Sequence, residues 1–376
     1  MKSTAPANIY ATIGVALLGA GLVAGTPMDT PRADTHLFDL QLTAGAESIT
    51  LDLVRHGDNL TGPPATTPAG TGMVAQADGG QGSEGVSGGP PGAPLSALGQ
   101  QQAQTVSQQI QAQYGDNIAG IYGGTEPRMW QTVQPLADAL GMDVHQLAGL
   151  NEIDGGVYAG DPLSSTGGIE FMMTLAAWAL GLEFVPMPGS PDINGVQFED
   201  IFNSATQTIY DNTVSADGPT TAIAASGEAA ITAWALMNAN NPDISVFIPM
   251  FIDELEGKTT LLPNVGQVVL QGGPGDWTLV SFNGTPVPPA DLLTSLFVDL
   301  RNVIVAPQAA TWHIWEALSG GDPTAIQDAL QTGLKDVGAA LLQFPQSVIT
   351  DVIDALGGGG SASAGDALGD SLTSLF

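Results

Sequence analysis

The chain has 376 residues, which at roughly 150 residues per domain predicts one large domain or two. Lys and Arg total 7 against 38 Asp and Glu, a formal net charge of -31, so the chain lacks the cationic surface that binding of DNA or RNA requires. It contains no Cys, which excludes disulfides, thiolate metal sites and thiol chemistry.

The first 25 residues predict an exported protein. Lys2 precedes an uncharged apolar stretch over residues 9–25 that ends in small residues, the order seen in secretory signal peptides. The stretch falls short of the roughly 20 residues of a membrane-spanning helix, so a signal peptide over residues 1–25 is favoured over an uncleaved N-terminal anchor or a buried helix. We expect a secreted or cell-envelope-associated protein whose residues 26–47 form a linker.

The folded part is expected to begin with a strand. Apolar and polar residues alternate over residues 48–54, as in a half-buried strand, and the sequence Arg-His-Gly follows at 55–57. Residues 61–94 are so rich in Gly and Pro that they can form neither a helix nor a central strand. They predict a loop inserted beside the end of the first strand.

Strands and helices then alternate along the chain. Ser96 can cap a helix that runs to about Tyr114, a short apolar strand covers 118–122, and Thr125 can cap a second helix that Gly141 ends. The later elements are a strand at 143–147, helices at 169–180 and 198–210, a buried strand at 220–225, a helix up to residue 236, and a hairpin at 267–270 and 277–282. This alternation predicts an α/β fold, a three-layer sandwich in which helices flank a mostly parallel central sheet.

Residues 291–376 predict a helical C-terminal extension of a domain that spans residues 48–290. Apolar residues recur every three or four positions over 322–344, which is typical of an amphipathic helix. Pro345 is expected to break this helix, and a Gly-rich linker follows at 357–360. The extension could pack on the domain, or bind a partner or the cell envelope. Packing is favoured because the polar helix face lacks Lys and Arg.

Cationic side chains are scarce, so their positions are informative. Arg55 and Arg128 follow predicted strands, and ligands of open α/β sheets bind at those strand ends. Two guanidinium groups there could hold a phosphoryl group, although a structural ion pair is the alternative for either one alone. His56 could attack phosphorus, and Glu152 or Asp154 could protonate the leaving oxygen.

Four short motifs carry a family resemblance. They are Arg-His-Gly at 55–57, Leu-Ser-Ala-Leu-Gly-Gln at 95–100, Arg-Met-Trp-Gln-Thr at 128–132 and Leu-Asn-Glu at 150–152. In this order, over about residues 50–283, the chain resembles the phosphoglycerate-mutase-like branch of the histidine phosphatase superfamily. The resemblance implies that His56 is the phosphorylated nucleophile and that Glu152 is the general acid. It also implies that Arg55 and Arg128 bind the phosphate.

The chain departs from that family pattern at the last motif. Where the family has a second His that contacts the phosphate, Ser226 stands in the sequence Ala-Ala-Ser-Gly-Glu at 224–228. A Ser donates one hydrogen bond but brings no positive charge, so turnover is expected to be about 10² to 10³ times slower. Ser226 and Asn59 complete the predicted substrate-binding set.

The expected function is that of an exported phosphomonoesterase of the histidine phosphatase type, acting through a phosphohistidine on a small phosphorylated substrate. No cofactor is expected, and no spacing of His and carboxylates predicts a metal site. The alternative is a catalytically impaired family member that serves as a cell-envelope binding or scaffold protein. The missing second His and the charge of -31 favour this alternative.

Overall fold

The computed structural model of the chain describes residues 48–60, 86, 92–214, 218, 220–256 and 258–357. All of these residues lie in one compact unit that spans residues 46–376. The predicted signal peptide, the linker at 26–47, most of the Gly/Pro-rich insertion and residues 358–376 lie outside the described residues. The domain limits therefore stay predictions.

The described part of the chain contains a seven-stranded sheet with the order β3-β2-β4-β1-β5-β6-β7. The strands are β1 (Ile49–Arg55), β2 (Ile118–Gly123), β3 (Val144–Gln146), β4 (Thr221–Ser226), β5 (Gln267–Gly273), β6 (Asp276–Phe282) and β7 (Thr285–Pro286). The first four strands pair in parallel, and the predicted hairpin of β5 and β6 extends the sheet in antiparallel fashion. Every residue of β4 is buried, as expected of a central parallel strand.

Eight α-helices lie in the same described part. They are α1 (Ala97–Tyr114), α2 (Pro127–Leu140), α3 (Thr166–Ala179), α4 (Gly195–Thr213), α5 (Glu228–Asn238), α6 (Ile244–Leu255), α7 (Leu292–Gly320) and α8 (Pro323–Gly357). The sequence prediction missed α6 and did not separate α7 from the rest of the C-terminal extension.

Helices cover both faces of the sheet. On one face, Ile110 of α1 and Leu136 of α2 pack with Ile223 of β4 in one hydrophobic cluster. On the other face, the larger cluster contains Trp178 of α3 and Trp234 of α5 together with residues of α4 and β1. The predicted three-layer α/β sandwich is confirmed.

Capping chemistry explains several of the helix limits. Ser96 caps α1 by accepting a hydrogen bond from the Gly99 amide, as predicted, and Gly141 ends α2 with a left-handed φ of 65°. The prediction that Thr125 caps α2 is wrong, because Glu126 holds the N-cap position. The Thr125 hydroxyl instead accepts a hydrogen bond from the Asn151 amide at 2.9 Å.

The prediction that Pro345 ends a helix is also wrong. Helix α8 runs through Pro345 to Gly357 and packs along α7. A Pro removes one backbone hydrogen bond, here the one to the Leu341 carbonyl, and both residues are exposed. Solvent can therefore hydrate that carbonyl, and contacts with α7 hold the helix on either side.

The C-terminal helices contact the α/β layers through polar side chains of α7. Arg301 is buried and donates to the carbonyl oxygens of Leu236 at 2.7 Å and Ala239 at 3.1 Å. Gln308 donates to the Gly181 carbonyl oxygen at 2.6 Å. Within the described ranges, no helix is both long and apolar enough to cross a membrane.

Candidate active site

The carboxyl ends of β1, β2 and β4 lie at one edge of the sheet. Strand β4 pairs with both of its neighbours in parallel, so that Arg55 lies opposite Ser226, and Gly123 lies opposite Ala225. The chain leaves these ends at His56, in the loop before α2, and at Gly227. Because ligands of α/β sheets bind at such strand ends, this edge is the candidate active site.

His56 is fully buried, with 0% of its surface exposed. Its Nδ1 lies 2.9 Å from the Gly57 carbonyl oxygen, which can only accept, so this hydrogen bond assigns the proton to Nδ1. Nε2 then has the free lone pair and accepts a hydrogen bond from Arg128 Nε at 3.3 Å. Burial and the charges of Arg128 and Arg55 hold the pKa of His56 well below its usual value. The imidazole is therefore neutral, the form that can act as a nucleophile.

Hydrogen bonds fix the backbone after His56 to the starts of α1 and α2. The Gly57 amide donates to the Thr132 hydroxyl at 2.9 Å, and that hydroxyl donates to the Arg128 carbonyl oxygen at 2.7 Å. The Ser96 hydroxyl donates to the carboxylate of Asp58. These contacts set the position of His56 relative to Arg128.

Arg55 is engaged by groups of its own chain. Its guanidinium donates to the Leu262 carbonyl oxygen at 2.6 Å and forms an ion pair with Glu228 at 2.6 Å. The Glu228 carboxylate also accepts hydrogen bonds from the Thr260 hydroxyl and the Leu262 amide. The guanidinium group that the sequence analysis assigns to phosphate binding is thus paired with the Glu228 carboxylate.

Arg128 is likewise engaged by a carboxylate of its own chain. Its side chain is 1% exposed, and its guanidinium forms an ion pair with Glu126 at the start of α2. Burial raises the pKa of Glu126, and the charge of Arg128 opposes that shift. Both arginines that are predicted to bind phosphate are therefore ion-paired with a carboxylate of the same chain, which we call the resident carboxylate.

The side chain of Glu152, in the loop after β3, contacts the N-terminus of α5. Its Oε1 accepts hydrogen bonds from the amides of Ile153 at 3.0 Å and Ala230 at 2.8 Å. Burial raises the pKa of Glu152, while these two bonds and the charges of Arg128 and Arg55 oppose the shift. Both guanidinium groups also act electrostatically on His56 and on Glu152. Arg128 contacts the ring of His56, and Arg55 and Glu152 line one cavity, so the four predicted groups lie near one another.

Gly227 makes room for the Glu152 carboxylate, a role that the sequence prediction missed. A Cβ atom at Gly227 would lie 1.9 Å from Glu152 Oε2, so no side chain fits there while Glu152 holds this position. A Gly between a strand and a helix start was the available signal, but nothing in the sequence shows that a carboxylate approaches it.

Ser226 and Asn59 are buried and do not line the cavity at this edge. The Ser226 hydroxyl donates to the Leu150 carbonyl oxygen at 2.7 Å, which uses the one proton that it has. Asn59 forms a backbone bridge with Leu95. Their assignment to substrate binding stays a prediction.

A cavity of about 180 Å³ opens beside the strand ends. Arg55, Glu152 and Glu228 are in its lining, whereas the buried side chains of His56 and Arg128 are not. Glu254 of α6 lines it as well, and burial and the neighbouring Glu228 raise the pKa of Glu254 to about 8. The sequence prediction missed Glu228 and Glu254. Glu254 belongs to no motif, and Glu228 ends the segment at 224–228, but its contact with Arg55 joins residues distant in the chain.

Among the described residues, no group of three or more His, Asp or Glu side chains is arranged to hold a metal ion.

Comparison with known proteins matches this part of the chain to one family. Residues 52–234 match the model of the histidine phosphatase superfamily, branch 1. A curated relative, the PE-PGRS family protein PE_PGRS11 of Mycobacterium tuberculosis, is 42% identical over 319 residues. The match covers 83% of this chain and 49% of the relative, so the chain spans about half the length of that protein.

Solved structures with similar folds are more distant in sequence. The native structure of mycobacterial glucosyl-3-phosphoglycerate phosphatase is 16% identical with a TM-score of 0.42, covering 63% of this chain and 100% of that one. The structure of mycobacterial hydrolase 2 is 17% identical with a TM-score of 0.44, covering 68% of this chain and 98% of that one. A phosphoserine phosphatase mutant from Entamoeba histolytica is 20% identical with a TM-score of 0.39, covering 62% and 96%.

Proposed function

Residues 52–234 of this chain belong to the histidine phosphatase superfamily, and we propose that the chain is a phosphomonoesterase acting through a phosphohistidine on His56. One observation carries the proposal. Nδ1 of His56 holds the proton, and its unprotonated Nε2 faces the guanidinium of Arg128 at 3.3 Å. A nucleophilic nitrogen beside a group that can bind phosphate is the arrangement that attack on phosphorus requires.

Substrate binding exchanges the resident carboxylates for phosphoryl oxygens. Arg55 releases Glu228 and Arg128 releases Glu126, and each guanidinium then donates to the phosphate instead. Because His56 is fully buried before this exchange, the same movement opens its Nε2 to the phosphorus. The two positive charges also stabilise the negative charge that the phosphoryl oxygens carry in the transition state.

The reaction proceeds in two displacements at phosphorus. In the first, the Nε2 lone pair forms the N–P bond while the ester P–O bond breaks, and Glu152 gives its proton to the leaving alcohol oxygen. In the second, Glu152, now ionised, takes a proton from water as the water oxygen bonds to phosphorus. The N–P bond breaks, its electron pair returns to Nε2, and inorganic phosphate leaves. The raised pKa of Glu152 supports its acid role.

Loss of phosphatase activity on replacement of His56 tests the proposal. Release of phosphate from an aryl phosphate is measured for the wild type, for His56→Ala and for the matched control His145→Ala, whose ring is exposed on β3. The expected result is at least a 10³-fold loss for His56→Ala, because the nucleophile is gone, and near-wild-type activity for the control. Equal activity in all three proteins would reject the proposal.

A second candidate function is that of a binding protein of the same family with little turnover. The observation that favours it is the closed site, in which His56 has no exposed surface and both arginines are paired with acids. Titration with inorganic phosphate separates the two candidates. Saturable phosphate binding without ester hydrolysis supports the binding protein, whereas hydrolysis that depends on His56 supports the enzyme.

We also propose that the chain is exported, on the basis of Lys2 and the apolar stretch at residues 9–25. N-terminal sequencing of the protein from cell-envelope and culture fractions tests this. A start near residue 26 in those fractions is the expected result. An intact N-terminus found in the cytosolic fraction alone would contradict export.

A further inference from the structure

The cavity beside Arg55 has a polar end and an apolar body. Arg55, Glu152 and Glu228 line the end at the sheet edge. The body is formed by faces of three helices, α3, α5 and α6. Large apolar side chains of the lining include Leu163, Phe171, Leu175, Phe247, Phe251 and Leu261.

From this lining we propose that the substrates are phosphate monoesters of an apolar alcohol, whose hydrocarbon part enters the body of the cavity while the phosphate binds at Arg55. The inference rests on the proposed phosphatase function. It names the substrate class and goes beyond the general expectation of a small phosphorylated compound.

The helix faces explain why the cavity is apolar. Residues 171, 172, 175, 176 and 179 of α3 line it at intervals of three or four, which is one face of the helix. Ala229 and Ala233 do the same on α5, and their small side chains leave the volume open. On α6, residues 247, 248, 251 and 254 repeat this spacing. The apolar surface is thus built by sequence periodicity on three elements.

A sugar or polyol would be poorly accommodated in this cavity. Beyond the three groups at the sheet edge, the polar side chains of its lining are Thr232 and Glu254. Several hydroxyls would therefore enter without hydrogen-bond partners, and each unpaired buried group weakens binding. A hydrocarbon chain has no polar group to leave unpaired, and its binding is favoured because its apolar surface is removed from water.

The charges of the lining also select against substrates that carry a carboxylate. Three acidic residues, Glu152, Glu228 and Glu254, share the cavity with the single cation Arg55. The phosphate can take the place of Glu228 on Arg55, but a second anionic group would then meet the displaced Glu228 carboxylate and find no further cation in the described lining. A neutral, apolar alcohol portion avoids this repulsion.

The test compares phosphate esters of matched size. The values of kcat/KM are measured for n-alkyl phosphates from ethyl to octyl, and for propyl phosphate against glycerol 3-phosphate, which has the same carbon chain with two added hydroxyls. We expect kcat/KM to rise about three- to fourfold per added methylene until the cavity is full. Propyl phosphate is expected to exceed glycerol 3-phosphate at least tenfold.

The outcomes separate this inference from the function on which it rests. If an aryl phosphate is hydrolysed through His56 but chain length has no effect, or glycerol 3-phosphate is preferred, the inference is rejected and the phosphatase function stands. If no ester is hydrolysed, both are rejected.

Filling the cavity provides the structural control. Ala176→Phe places a ring in the cavity, and Ala177→Phe changes a half-buried neighbour outside the lining. The ratio of kcat/KM for octyl phosphate to that for ethyl phosphate is expected to fall at least tenfold in Ala176→Phe and to stay within twofold in Ala177→Phe. The ratio is independent of the folded fraction, since both substrates meet the same preparation.

Ala179→Phe, one turn further along α3, repeats the measurement at a second lining position. A ratio unchanged from the wild type in both Ala176→Phe and Ala179→Phe would overturn the inference.

Discussion

At the scale of residues, the candidate site is defined by competition for two guanidinium groups. Arg55 is paired with Glu228 at 2.6 Å, and Arg128 is paired with Glu126. Under the proposed function, a phosphate ester must displace these carboxylates before His56 can reach phosphorus. The resident acids therefore weaken phosphate binding, and removal of one of them should strengthen it.

Glu228→Gln is expected to bind inorganic phosphate more tightly than the wild type, by about tenfold. The amide removes the charge that pairs with Arg55, and its oxygen can still accept the hydrogen bond from the Leu262 amide. Hydrogen bonds to charged groups contribute about 1.5 to 3 kcal/mol, so loss of this competitor is worth about a factor of ten. The affinity for phosphate is measured as the inhibition constant of phosphate in competitive inhibition of aryl phosphate hydrolysis.

The matched control for this charge change is Glu256→Gln. Glu256 is exposed and pairs with Lys258 on the surface, so its replacement changes the net charge equally without touching Arg55. Phosphate inhibition within twofold of the wild type is expected for this variant. Weaker phosphate inhibition of Glu228→Gln would contradict competition at Arg55.

The sequence predicted the residues that belong to motifs and missed those that act through tertiary contacts. His56, Arg55 and Arg128 follow strand ends in recognisable patterns, so their convergence could be expected from topology alone. Gly227 and Glu228 also follow a strand end, in the segment at 224–228, but that segment does not show which groups they contact. Their roles depend on where Arg55 and Glu152 lie in the folded chain, which no local spacing encodes.

At the scale of elements, periodicity predicted the α/β layers well and helix limits less well. The parallel strands and the flanking helices α1 to α5 were expected from apolar spacing and Gly or Ser at their ends. Helix α6 was missed because Pro249 lies inside its apolar run, and an interior Pro is ordinarily taken as the break of a helix. The prediction that Pro345 ends a helix failed because contacts with α7 stabilise α8 on both sides of Pro345.

Pro345→Ala is expected to stabilise α8. The replacement restores the missing hydrogen bond to the Leu341 carbonyl oxygen, and an interior Pro costs a helix up to about 3 kcal/mol relative to Ala. Hydrogen exchange of the α8 amides around residue 345 should slow by about tenfold or more.

Pro323→Ala is the control, because Pro323 is the first residue of α8, where the absent amide proton has no partner to lose. No slowing is expected for this variant. Equal exchange rates in Pro345→Ala and the wild type would show that Pro345 does not destabilise α8.

At the scale of the whole molecule, the excess of acid sets the response to pH. The formal charge is -31, and several carboxyls are buried well enough to resist ionisation. Burial raises the pKa of Asp52 to about 7, and burial together with the neighbouring Glu199 raises the pKa of Glu183 to about 9. Glu254 shows the same behaviour, with a pKa of about 8.

The free energy of unfolding is expected to decrease as pH rises from about 5.5 to 8.5. Folded Asp52, Glu183 and Glu254 keep protons that the unfolded chain, with ordinary carboxyl pKa values near 4, has already released. Their stabilising contribution is present in full below the unfolded pKa and is lost as pH rises through the folded values. Urea denaturation should show a loss of at least about 1 kcal/mol across this range.

Measurement at high salt distinguishes the effect of the buried carboxyls on stability from that of repulsion between surface charges. At 1 M NaCl the Debye length is about 3 Å, which screens exposed charges but not desolvated ones. The decrease with pH should persist at this salt concentration. A free energy of unfolding that is constant or rises over this pH range would contradict protonated buried carboxyls.

The most direct test of the phosphatase account is to trap the phosphoenzyme. The wild type is mixed with an aryl phosphate, quenched in denaturant at alkaline pH, where phosphohistidine survives, digested and examined by mass spectrometry. The account predicts one phosphoryl group on the peptide that contains His56, and none in His56→Ala. Hydrolysis of the ester with no phosphoryl group on His56, or with the group on another residue, would contradict it.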